Sequence, residues 1–109
     1  MRDPRHLRHA RAMAVYYRNQ ASELYDAADV YERRTRLAEA DPSAISSGAL
    51  KVLAWHAPHL RCRALECQVR ALFCDDAISR ELRDVALAFV AGWVGTLDDL
   101  LTAAAAVLA

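Results

Sequence analysis

Between Pro4 and Ala40 the chain contains no glycine and no second proline, and its apolar residues recur at helical spacing throughout. Leu7, Ala10, Ala14, Tyr17, Ala21, Leu24, Ala28, Tyr31, Thr35 and Ala38 step alternately by three and four over about five heptads. A stripe of that length predicts one helix of about 36 residues, roughly 54 Å from end to end. Asp3 and Pro4 supply its start, an N-cap carboxylate followed by proline at the first helical position. Asp41 and Pro42 supply its stop, because the residue before a proline is pushed out of helical conformation.

With Leu7 at heptad position a, the a set (Leu7, Ala14, Ala21, Ala28, Thr35) is mostly small. The d set (Ala10, Tyr17, Leu24, Tyr31, Ala38) carries its large residues in the middle. Two packings satisfy this stripe. It can lie on the last helix of the same chain, or on a second copy running antiparallel, centred near Tyr25. In the antiparallel pair Ala14 faces Tyr31, Ala21 faces Leu24 and Ala28 faces Tyr17, so small meets large in each layer. The e positions agree in sign, Arg11 and Arg18 running towards Glu39 and Glu32 of the partner. Exposed pairs contribute only a few tenths of a kcal/mol, so they orient such a pair without driving it. The expected interface is therefore Leu7, Ala14, Tyr17, Ala21, Leu24, Tyr25, Ala28 and Tyr31.

The remaining chain reads as three more helical segments. A short one opens at Ser43 or Ser46-Ser47-Gly48 and runs through Leu50, Val52, Leu53 and Trp55. Pro58 then breaks or kinks the chain, and a further helix spans about His59 to Cys74. Asp75-Asp76 caps the last, from Ala77 towards the C-terminus. On that helix Leu82, Ala86, Phe89, Trp93, Leu97, Leu100, Ala104 and Val107 form one stripe, widened by Leu87, Val90, Val94 and Leu101. A helix so broadly apolar must be covered on more than one side. Ala88, Gly92 and Thr96 give it a small-residue strip, and Trp93 is read first as core and second as an interface anchor.

The expectation is thus an all-α helical bundle, two long helices joined by two short ones, in a single domain over residues 1–109. Twenty-three alanines favour helix, and three glycines with three prolines leave little turn chemistry for a β-protein. The longest apolar run, Val85 to Leu97, falls short of the roughly 20 residues a membrane span needs. The basic N-terminus is followed by no apolar signal core, and Cys62, Cys67 and Cys74 have no disulfide-framework spacing. A cytoplasmic location is expected.

Candidate chemistry is sparse. His59, Cys62 and Glu66 fall on one helical face with His56 just before Pro58, and His59 and Cys62 are the residues that would hold zinc or copper. No CxxC, HExxH or ExxH accompanies them, so no metal and no cofactor are expected. There is no glycine-rich phosphate loop and no serine–histidine–acid arrangement, and no enzymatic activity is expected. Arg2, Arg5, Arg8 and Arg11 crowd the first turns of helix one, where cations oppose the helix dipole. Asp98-Asp99 or an anionic partner would offset them. With Arg18 they form a ramp suited to nucleic-acid backbone, and 13 arginines to one lysine fit bidentate phosphate contacts.

The leading expectation is a non-catalytic interaction or assembly subunit, homo-oligomeric or part of a larger complex. The alternative is a small helical subunit of a ribonucleoprotein, of the size found in RNA-guided effector complexes. A phage-type inhibitor that docks on another protein would look the same in sequence.

Overall fold

In the computed structural model, which describes residues 4–109, four helices follow one another: α1 (Pro4–Ala40), α2 (Ser47–Cys74), α3 (Arg80–Phe89) and α4 (Leu97–Leu108). No strand occurs among the described residues. Asp3, the expected N-cap of α1, lies outside them.

α1 runs 37 residues without a break and ends where expected, at Asp41-Pro42. The Ser43 hydroxyl donates to the Asp41 carboxylate and the Ala44 amide to the Asp41 carbonyl, closing a tight turn. Ser46 then caps α2, its hydroxyl accepting from the Ala49 amide at 3.2 Å.

Three boundaries differ from the sequence reading. Pro58 does not divide the second segment from the third: α2 is continuous over 28 residues with the proline inside it. A proline there removes one helical hydrogen bond and crowds the preceding turn, at about 3 kcal/mol or more. Burial on two sides of the same helix offsets that cost, through Ala57, Ala64 and Ala71 on one side and Leu65 and Val69 on the other. The Pro58 ring itself lies on the exposed surface.

Asp75-Asp76 closes α2 rather than opening the next helix. The Asp75 amide bonds back to the Ala71 carbonyl, Asp76 turns into the left-handed region (φ 59°), and the Ala77 amide reaches the Leu72 carbonyl at 2.9 Å. Asp76 takes the place glycine usually holds in such a helix end. The cap of α3 is Ser79, which accepts from the Leu82 amide.

The single last helix is two. α3 ends at Phe89, Gly92 (φ 74°) and Gly95 (φ 146°) turn the chain, and Thr96 starts α4. Thr96 and Asp99 bond to each other's backbone amides, a reciprocal capping box. Gly92 and Thr96 therefore build a corner rather than a helical small-residue strip. Asp98 and Asp99 occupy the first turn of α4, where carboxylates favour the dipole.

α2 is the middle of the molecule. α1 packs along one side of it; α3 and α4 pack on each other and on the other side. The result is flat and elongated, 62 × 31 × 17 Å. Its apolar interior lies in two strips. One is an alanine seam between α1 and α2, with Ala14, Ala21 and Ala28 facing a helix that buries Ala57, Ala64 and Ala71. The other joins Leu65 and Val69 of α2 to Ala86, Val90, Leu100 and Ala104, with Leu82, Trp93, Leu97 and Leu101 at its margin.

Candidate interaction surface

The α1 stripe is covered, within one chain, by α2. Three polar contacts fix the register of the pair. Arg18 pairs with Asp75, the Tyr25 hydroxyl donates to Gln68 Oε1 at 2.7 Å, and Arg61 pairs with Glu32. Each step of seven up α1 is matched by a step of seven back along α2, so the two helices run antiparallel. At this register Ala21 lies level with Ala71 and Ala28 with Ala64. Alanine at every seventh position on both helices leaves room for the backbones to come close.

The sequence reading placed this stripe on the last helix or on a second copy; in the structure its partner is α2. Of the e-row charges, Arg18 meets Asp75 and Glu32 meets Arg61, both on α2. Leu7, Ala14, Tyr17, Ala21, Leu24, Tyr25, Ala28 and Tyr31 all belong to this stripe or its edge, and of them only Leu7 is classed as exposed. The signal for α2 was present as Ala57, Ala64 and Ala71, three alanines at intervals of seven, but the series straddles Pro58.

Neighbouring charges act on several of these groups. The Arg61 guanidinium hydrogen-bonded to Glu32 holds that carboxyl below its ordinary pKa, and Arg61 also reaches Asp29 at 3.7 Å. Burial pushes the Tyr25 hydroxyl above its ordinary value against the opposing charge of Arg61. Burial likewise raises the Cys67 thiol.

Exposed apolar side chains stand on α2 and at the corner between α3 and α4. Trp55 is 56% exposed, Val52 61%, and Val94, at the corner between α3 and α4, 92%. A groove of about 390 Å³ runs between Trp55 and Val94, walled also by Pro58, Cys62 and Trp93 and lined by Arg63 and Glu66. Trp93 is half-buried: it abuts the second core and lines the groove. Its indole Nε1 is buried without a hydrogen-bond partner.

His59 and Cys62 also line this groove, each engaged with one of its tryptophans. His59 stacks on Trp55 at 4.3 Å between centroids, and the Cys62 thiol donates to the Trp93 carbonyl at 3.4 Å. His56 stacks on Tyr31 at 4.6 Å. No three His, Cys, Asp or Glu side chains converge on a metal-sized site among the described residues.

The arginine ramp is divided. Arg8 and Arg11 are exposed along α1, Arg18 is held by Asp75, and Arg5 is also engaged. Arg2 lies outside the described residues. The start of α1 lies beside Asp75 and Asp76 at the end of α2, with Arg11 lining the same small hollow. Those carboxylates, not Asp98-Asp99, face the basic turns. No described helix is long and apolar enough to cross a membrane. Comparison with protein-family models, with curated proteins and with solved structures finds no match to this chain.

Proposed function

We propose that the protein is a non-catalytic assembly subunit that pairs with a second copy of itself, alone or within a larger complex, through the Trp55–Val94 face. The observation that carries this reading is the almost complete exposure of Val94 at the lip of an apolar groove. Exposed tryptophan beside a hollow is the composition of interface centres rather than of solvated surface. Knob and hollow lie side by side on one face, so a two-fold axis between them seats each Val94 in the other copy's groove. Arg63, exposed in the lining, offers a positive charge to such a partner. The α1 stripe is left as the internal seam of each subunit.

The test is the solution mass by light scattering across a dilution series. Wild-type protein is expected at twice the monomer mass, and Val94→Asp with Trp55→Ser at the monomer mass with helicity kept. A wild type that stays monomeric at every concentration overturns self-pairing. A double variant that remains dimeric overturns this face as its site.

A further inference from the structure

At the far end of the molecule, α1, α2 and α3 enclose an open cleft of about 300 Å³. Its apolar floor is Ala10, Met13 and Phe73, and its polar walls are His9, Arg70 and Arg83. No carboxylate lines it among the described residues. In a chain of zero net charge, two guanidiniums and an imidazole around one hollow form a local concentration of donors. The long helix, the end of α2 and the short α3 each contribute one of the three.

The guanidiniums are anchored but not consumed. Arg70 gives one nitrogen to Glu66 at 3.0 Å, and Arg83 turns one edge to Asp84 at 2.9 Å. Both carboxylates stand outside the cleft lining. Each guanidinium carries five N–H donors, so both keep donors for a ligand. The Arg83 guanidinium lies over the Phe73 ring, 4.1 Å from its centroid, and lines the cleft beside it. Tyr17 adds a further ring to the wall, its hydroxyl set against Arg70.

A ligand that satisfies this arrangement has a flat apolar body and a compact anion. Guanidinium planes and tyrosine rings stack on nucleobases, and arginine N–H groups donate to phosphate oxygens. The volume is at the small end of ligand sites, which run from about 300 to 1,000 Å³. It admits one nucleotide and not two. We propose that this cleft binds a single nucleotide, free or as one unit of a single-stranded RNA, its base stacked over Arg83 and its phosphate held by Arg70 and His9. The cleft is a different hollow from the Trp55–Val94 groove, joined to it through the Arg70–Glu66 pair.

The experiment is titration of the purified protein, followed by calorimetry, with adenosine monophosphate, adenosine, inorganic phosphate and a ten-residue oligoadenylate. Saturable binding of the monophosphate at one per chain is expected, at least tenfold tighter than adenosine or phosphate alone. Arg83→Gln and Arg70→Gln are each expected to weaken it at least tenfold, while Arg33→Gln, on an exposed part of α1, leaves it unchanged. His9→Gln, at an exposed position, is expected to weaken it as well, and serves if an arginine variant fails to fold. Tighter binding of the oligoadenylate per site, with the same response to the variants, assigns the nucleotide to a strand. Equal or weaker binding assigns it to the free pool. Absence of saturable binding to either, or binding indifferent to all three variants, overturns the proposal.

Discussion

The Tyr25 hydroxyl meets Gln68 Oε1 at 2.7 Å midway along the α1–α2 pair, one heptad from Arg18–Asp75 on one side and from Glu32–Arg61 on the other. This row runs beside the alanine seam. It fixes which alanine lies opposite which, a choice the seam alone leaves open because all its members are identical. Tyr25→Phe removes the central bond while keeping the ring, and is expected to cost about 1 kcal/mol, the usual net contribution of such a bond. Urea unfolding followed by helical circular dichroism checks it. A loss above about 2 kcal/mol would mean that the hydroxyl does more than set register.

The seam itself has no spare volume. Ala64 is completely buried on the α1 side of α2. Ala64→Leu is expected to destabilise by about 1–3 kcal/mol through overpacking. Ala54→Leu, exposed on the same helix, is expected to stay within about 0.5 kcal/mol of wild type. Thermal midpoints of the two variants give the comparison, and equal midpoints would show that the helices are not in close contact.

The corner between α3 and α4 rests on two glycines with positive φ. At Gly92 a Cβ meets open space, so Gly92→Ala bears only the backbone cost, about 1 kcal/mol. At Gly95 a Cβ comes within 3.2 Å of the Trp93 indole nitrogen and 3.5 Å of the Asp99 carboxylate. Gly95→Ala is therefore expected to be the more destabilising of the pair, and to shift the Trp93 fluorescence as well. Equal losses with unchanged fluorescence would contradict the packing of Trp93 beneath this turn.

Glu32 gives the α1–α2 pair a dependence on pH. Its carboxyl pKa is lowered in the folded chain by the Arg61 hydrogen bond and charge. A depressed folded value means that the stabilisation is present above the unfolded carboxyl value, about 4.3, and is lost as pH falls through the folded one. The difference in urea midpoint between wild type and Glu32→Gln is thus expected to be measurable near pH 6 and to shrink at lower pH. Both groups are solvated, so the difference is small and falls with added salt. A gap that widens on acidification would reverse the assigned sign.

α1 could be read directly, because a helix without glycine or proline shows its period and its stop. α2 could not, because Pro58 carries a strong local signal that packing on both flanks overrides. The division of the last helix lay in Gly92 and Gly95, but an apolar pattern that continues in helical phase across both glycines concealed it. For the surfaces, the sequence offered the stripe of α1 and the arginines before it. It did not show that α2 takes the stripe, since that follows from a register between segments about 40 residues apart. It also gave no means of placing Arg70 and Arg83 beside His9, which only the folding of three helices onto one end brings together.

The two alanine series also restrict how the sequence can drift. A related chain that keeps this helix pair could change nearly every outward residue of α1. At the places of Ala14, Ala21, Ala28, Ala57, Ala64 and Ala71, however, it would be confined to alanine, glycine or serine. Kinship would then be recorded less by shared side chains than by two series of three positions, seven apart within each, where bulk never accumulates, a signature that overall identity would not register.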